Sequence, residues 1–562
     1  MNALGLMFFR TRLTGAFLCL ALASGLVSAG QYAVATAHPL ATRAGLEVLK
    51  NGGNAFDAAI AVTSVLAVVE PYSSGIGGGG FYLLHQQASN RQVMLDARER
   101  APLKGHRDMF LDAEGKVNSD LSLNGATAAG IPGIPAALDH LHKNYGSLTL
   151  RQSMARAIEY AQLGFEVDDY FRRMAGYRLE VLQRYPSTRE IFLREGEIPV
   201  SGTLLRQRDL AQTLKAIANS GRDGFYQGNI ARKLVASVQK NGGIWSLQDL
   251  NQYQLVEREP IRFRYGDAEV IAASLPSSGG IVLASIFNML EQLDHDAADT
   301  VDTVHQLVEA MRRAYRDRAE YMGDVDYVDV PVEKLLSRDY ATELLTNYSA
   351  QNATASAELR AIATTSGGND TTHFSIVDAE GNMVAATLSV NYPFGSGLIA
   401  EGTGVLLNDE MDDFSALPGV PNVYGLLGSD ANAIQPGKRM LSSMTPAFVR
   451  TPTRTLVSGT PGGSRIITMQ LLGMLEFLNG GDAQSIVSRP RFHHQYFPDA
   501  ISYEDNAFDE SMVEALEARG HKLKLMPYRY GNMHSIIINH QSGTLDAASD
   551  PRVIGEAIVS GD

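Results

Sequence analysis

Thr371 follows a small polar stretch, residues 364–370 (TTSGGND), and heads the alternating run TTHFSIVDAEGNMVAATLSVN. A hydroxyl residue at the head of a strand is what an N-terminal nucleophile requires. The peptide bond before it must be reachable, and the amine freed by cutting must lie beside the hydroxyl. Spacing supplies a neighbour. If Ala379, Glu380 and Gly381 form a hairpin loop, with Gly381 at positive φ, then Asp378 faces Asn382 and the ladder pairs Thr371 with Ser389. Directly opposed residues share a face, so two hydroxyls sit side by side with Asn391 one pleat further on. The pattern also fits β-branched residues that merely begin a strand.

Other residue types extend the chemistry. Arg98, where the strand-like residues of VMLDARERAP end, is either a solvated charge or a guanidinium fork for a carboxylate. Glu410 and Asp413 in LLNDEMDDF share a face if the segment makes a helical turn. They form a solvated acidic face or a clamp for an ammonium; the calcium-loop pattern D-x-[DN]-x-[DN]-G is missing. Ser442 and Ser443 in LSSM offer neighbouring hydroxyls. The run LVSGTPGGSRII places Gly462 and Gly463 where paired N–H groups form an oxyanion site. It is not G-x-S-x-G, so Ser464 is rejected as a nucleophile. His493 and His494 are adjacent, and neighbours on a strand point to opposite faces, so they do not chelate one ion. No metal and no cofactor is expected.

These residues need elements to hold them. Residues 374, 376, 384, 386, 388 and 390 are apolar with the period of two of half-buried strands. Helices are expected over 38–50, 54–69, 150–163, 170–184, 206–219, 229–239 and 303–321, and a strand over 270–273. SSGIGGGGF (73–81) lacks Gly-Lys-Ser/Thr and precedes a strand, so its glycines are read as a place where backbones pack closely, not as a phosphate loop. Residues 418–432, around Tyr424, read as a Gly/Pro-rich surface loop.

Arg10 and Arg12 precede an apolar run at 13–26 and the small residues Val27, Ser28 and Ala29: a signal peptide over 1–29, too short for an anchor. The only cysteine, Cys19, lies within it. Its loss removes two arginines and no acids, taking the net charge from −14 to about −16. An acidic chain without a basic cluster argues against nucleic acid and anionic membranes. With 45% hydrophobic residues the mature chain can bury a large core. No linker or repeat divides it, so one globule is expected, with a processing point near 350–370.

GNAFDAAIAV, SSGIGGGGF, DARERAP, PSSGG, TTHFSIVD, NDEMDDFS, PNVYG, LSSMTP, GTPGGSRII and PRFHH, in this order across nearly the whole mature chain, identify a sequence that resembles the γ-glutamyltranspeptidase family of N-terminal-nucleophile hydrolases. The resemblance implies an α/β (α+β) fold, a four-layer αββα sandwich. It implies a precursor that cuts itself between Asp370 and Thr371 into a large subunit (30–370) and a small one (371–562).

By the same resemblance, Arg98, Ser442 and Ser443 hold a substrate α-carboxylate, and Asn391, Glu410 and Asp413 surround its ammonium. Gly462 and Gly463 donate to the oxyanion, and Tyr424 sits on a lid-type loop. Thr371 is the nucleophile, and Ser389 stands where the family commonly has threonine. The implied substrates are glutathione and related γ-glutamyl compounds, with water, amino acids or dipeptides as acceptors, in the bacterial periplasm or beyond it. A glutaryl or cephalosporin acylase on the same scaffold and a non-enzymatic binding protein are the alternatives.

Overall fold

The computed structural model describes residues 30–293, 295, 300–359 and 371–560. The expected leader with Cys19, and Asp370 of the expected cleavage site, lie outside the described residues. The hairpin forms in the register that its loop length implies. The Asp378 N–H donates to the Asn382 carbonyl (3.1 Å), and the ladder continues to Thr372 opposite Leu388. Gly381 takes φ +87°. Asp378 accepts from the backbone N–H of Glu380 and Asn382, which ties the loop to its own base.

This hairpin is the middle of a seven-stranded antiparallel sheet. Its order is Glu556–Val559, Ala33–Thr36, Thr372–Val377, Met383–Ser389, Gly79–Gln86, Arg91–Asp96 and Val256–Arg258. A second, six-stranded antiparallel sheet runs Leu545–Ser549, His534–Asn539, Arg454–Gly459, Ala447–Arg450, Ala268–Ala272 and Ile261–Tyr265. Val34, Phe374, Ile376 and Val384 face a helical core that includes the wholly buried helix Ala55–Val69. The helices Gly279–Gln292, Val301–Tyr321 and Ile466–Leu478 cover the outer face of the second sheet. Between the sheets lie Ala33, Phe81, Leu83 and Ala385 from one and Ile271, Phe448, Val457 and Ile536 from the other. Helix, sheet, sheet, helix: the architecture is the αββα sandwich.

The central strands are buried on both faces, not half-buried. Their second face carries His373, Ser375, Ala385 and Thr387. Its polar members bond one another and the facing sheet: His373 Nδ1 is 2.9 Å from Thr387 Oγ1 and its Nε2 3.2 Å from Ser375 Oγ, and the Ser375 hydroxyl donates across to the His534 carbonyl (3.0 Å). Burial, with His534 next in importance, holds His373 well below the usual imidazole range. It is therefore a neutral spacer between sheets.

The glycine run does what close packing requires. A Cβ on Gly78 would fall 2.1 Å from the Ser389 carbonyl oxygen, and one on Gly77 2.0 Å from that of Leu406. The helix Pro39–Lys50 begins after His38, and Ala55–Val69 after an Asn54–Asp57 capping box. The single helix expected over 150–163 is two, Leu150–Ser153 and Ala155–Leu163. The chain turns at Met154 (φ −88°, ψ 0°) and sends that side chain into the core.

Candidate active site

Thr371 lies immediately before its strand, buried, with its Oγ1 3.4 Å from the Ser389 Oγ. The Ser389 hydroxyl also accepts the Asn391 N–H at 2.7 Å. Asn391 has φ +78°, a left-handed conformation that ends the strand abruptly and turns the chain away. Its amide donates to the Asp409 carbonyl (3.0 Å), and its own carbonyl accepts the Tyr424 hydroxyl (2.6 Å).

Tyr424 therefore does not lie on an open surface loop. It is buried, its ring edge against the α-carbon of Gly463, where a Cβ would come within 2.5 Å of the ring. Gly462 and Gly463 both have positive φ (139° and 56°), conformations that favour glycine. They stand at the turn between the strand Arg454–Gly459 and the helix Ile466–Leu478.

Thr371 borders two spaces. One is a recess of about 20 Å³ lined by Ser389, Asn391, Glu410, Asp413, Tyr424, Ser442, Ser443 and Gly463. The other is an open cavity of about 690 Å³ that includes Gly462. The smaller recess brings together most of the residues singled out from the sequence.

Arg98 is wholly buried, so the solvated-charge alternative is excluded. Its guanidinium contacts Glu410, reaches Asp413 at 2.5 Å, lies 3.7 Å from Glu99 and donates to the Met440 carbonyl at 3.2 Å. The cation and the two acids that the resemblance assigns to opposite ends of a substrate thus pair with each other. Glu410 and Asp413 share a face because Glu410–Asp413 is one 3₁₀ turn.

Burial pushes Glu410 up to about 7, against the pull of Arg98. Burial also raises Glu99 well above the carboxylate range. Burial would lower Arg98, but Glu410, Asp413 and Glu99 outweigh it and hold it above its usual range. Oε2 of Glu410 is buried and has no hydrogen-bond partner among the described residues, an acceptor beside the recess.

Two residues escaped the sequence reading. Arg318, on the helix Val301–Tyr321, donates to the hydroxyls of Ser278 (2.9 Å) and Ser443 (3.1 Å). It is buried, and burial brings it down to about 10. Among the described residues it makes no ion pair. Glu70, at the end of the helix Ala55–Val69, accepts the Thr372 hydroxyl at 2.7 Å, and burial raises it to about 8.

Among the described residues one group of metal-ligating type occurs, His305, Glu309 and His521. Glu309 contacts Arg312 and pairs with Arg313 at 2.5 Å, and it accepts the Thr354 N–H (3.0 Å) and hydroxyl (2.6 Å). His305 Nδ1 is 2.8 Å from His521 Nε2. The cluster ties down the chain around Thr354. His493 and His494 diverge as expected, toward Thr468 and Asp499.

The family model for gamma-glutamyltranspeptidase matches residues 41–560. A glutathione hydrolase proenzyme of Escherichia coli is 41% identical over 536 residues, 94% of this chain and 92% of that one. The cephalosporin acylase structure from Bacillus halodurans is similar at TM-score 0.83 and 30% identity, covering 94% of this chain and 96% of that one. Gamma-glutamyltranspeptidase from Helicobacter pylori is similar at TM-score 0.56 and 38% identity, covering 62% of this chain and 96% of that one.

Proposed function

The chain belongs to the gamma-glutamyltranspeptidase family, and from that premise we propose that it is a self-processing enzyme that cleaves the γ-glutamyl amide of glutathione and related compounds through Thr371. The supporting observation is the placement of the Thr371 hydroxyl. It stands beside Ser389, lines one cavity with Gly462 and the other with Gly463, and shares the smaller recess with two acids, Glu410 and Asp413, that pair with the buried Arg98.

In the precursor, Thr371 Oγ1 attacks the Asp370 carbonyl carbon and the peptide C–N bond breaks. Water then releases the Asp370 carboxylate. The products are 30–370 and 371–562, after loss of a leader at 1–29 that directs export to the periplasm. The α-amine so freed, with a reference pKa of about 7.7–8.0, is the general base for every later turnover. As an amide nitrogen it cannot take a proton, so maturation and activity are coupled.

On substrate, the amine takes the Thr371 proton as Oγ1 attacks the γ-carbonyl. Gly462 and Gly463 donate to the oxyanion, an interaction worth roughly 3–4 kcal/mol per donor. The C–N bond breaks and the proton passes to the leaving amine, which leaves an ester on Thr371. Water hydrolyses the ester; an acceptor amine instead forms a new amide and returns its proton through the α-amine.

A recess of about 20 Å³ holds no more than about one water, so substrate enters by exchange. The substrate α-carboxylate replaces the acids on Arg98 and meets Ser442 and Ser443. The ammonium takes Glu410, Asp413 and Asn391. Arg318 fixes the Ser443 hydroxyl and adds a second positive charge behind the carboxylate.

The likeness to a cephalosporin acylase favours one other reading, removal of a glutaryl side chain. Such an acyl group has no ammonium to satisfy Glu410 and Asp413. Comparing γ-glutamyl and glutaryl p-nitroanilides decides between them: the γ-glutamyl compound is expected to be the better substrate by at least about tenfold in kcat/KM, which is 1.4 kcal/mol of transition-state binding. Equal or reversed rates contradict the γ-glutamyl reading.

A further inference from the structure

The open cavity of about 690 Å³ on the other side of Thr371 has a composition unlike the rest of the chain. The protein carries a net charge of −14, yet among the described residues this wall contains three arginines (Arg173, Arg529 and Arg552) and no aspartate or glutamate. Two of the three are neutralised from behind. Arg529 pairs with Asp505 at 2.9 Å, and Arg552 pairs with Glu504 at 2.7 Å and Asp550 at 3.0 Å. Arg173 makes no ion pair among the described residues. It is exposed, and its guanidinium lies 4.6 Å from the centre of the Tyr170 ring, which holds the cation in the wall while leaving its N–H donors available.

The rim is aromatic. Tyr177 and Tyr528, 67% and 50% exposed, are two of the few large hydrophobic side chains exposed among the described residues, and both border this cavity.

We propose that this cavity receives the group on the far side of the scissile γ-amide, first the leaving amine and then the acceptor. Arg173 selects molecules that end in a free carboxylate, and Tyr177 and Tyr528 flank an aromatic side chain. The preferred acceptor class is therefore an aromatic amino acid or a short peptide bearing one. The inference rests on the γ-glutamyl reading above, because only an acyl-enzyme at Thr371 gives this side of the site an acceptor to bind. Leaving and attacking amines share it because deacylation by an amine retraces acylation.

The test is the acceptor KM for transfer from γ-glutamyl-p-nitroanilide, measured with glycyl-phenylalanine and with its C-terminal amide. An exposed guanidinium–carboxylate pair predicts that the free acid has a KM about two- to fivefold lower. That ratio should fall to about one in Arg173→Met and shrink in high salt. In Tyr177→Ala and Tyr528→Ala, glycyl-phenylalanine should lose its advantage over glycyl-glycine while the acid-to-amide ratio persists. A wild type indifferent to amidation, or a preference that survives Arg173→Met, overturns the proposal and leaves the γ-glutamyl reading intact. A wild type that releases no p-nitroaniline overturns both.

Discussion

At the scale of single residues, the recess balances charge tightly enough that each member has a distinct signature. Arg98 is expected to carry most of the grip on the substrate α-carboxylate. Arg98→Ala should raise KM for γ-glutamyl substrates by more than about tenfold, since charge-assisted bidentate bonds are the strong ones. It also strands Glu410 and Asp413 in a buried site, so unfolding should become easier by about 3–5 kcal/mol. A KM unchanged in the variant would mean the carboxylate is held elsewhere.

Glu410 gives a pH signature. Burial raises it from its ordinary 4.5 to about 7, and the ionised form is the one that attracts an ammonium. The kcat/KM should therefore rise with pH through about 7, and Glu410→Gln should remove that limb while the limb of the α-amine remains. Stability runs the other way. A carboxyl with a raised folded pKa contributes its stability fully below about 4.5 and loses it as the pH climbs through about 7. Profiles of kcat/KM and of thermal midpoint against pH, wild type beside variant, check both signs.

At the scale of elements, the hairpin and the glycine run before Gly79–Gln86 hold the hydroxyl pair. Gly78 is pressed against the Ser389 carbonyl, and no side chain fits there. Gly78→Ala should push the Ser389 strand end away and slow formation of the two fragments, read on a denaturing gel over time. Unaltered processing would show that the strand end is not what aligns Thr371.

The helix Val301–Tyr321 is the second positioning element. Arg318→Met should raise KM several-fold with little change in kcat, because it removes the hydrogen bonds to Ser443 and Ser278 and the charge behind them, none of which touches the reacting atoms. These elements differ in how far the sequence revealed them. The hairpin register followed from one loop and its glycine, because local turn geometry dictates it. Arg318 did not follow. It is one of four arginines in RRAYRDR, and only the tertiary fold sets its side chain against Ser443. The double burial of the central strands was hidden because His373, Ser375 and Thr387 have the polarity of a solvent face. Tyr424 was misplaced for a related reason, since a Gly/Pro-rich loop reads as exposed even when it folds back over a site.

At the scale of the whole molecule, the segments before and after residue 371 are not separable bodies. Strands 372–377 and 383–389 lie between 33–36 and 79–86 in one sheet, and 268–272 pairs with 447–450 in the other. Fragments produced by processing should therefore migrate as one species in native size-exclusion chromatography and separate only in denaturant. Two native peaks would contradict the shared sheets.

The central claim, that Thr371 becomes the catalytic residue by cutting its own peptide bond, is tested most directly by a denaturing gel with N-terminal sequencing of the purified protein beside Thr371→Ala. Two wild-type fragments, the smaller beginning Thr-Thr-His, and a single intact chain in the variant are the predicted result. A wild-type chain that stays whole and still turns over γ-glutamyl substrate would contradict it, because Thr371 would then have no free amine to act as its base.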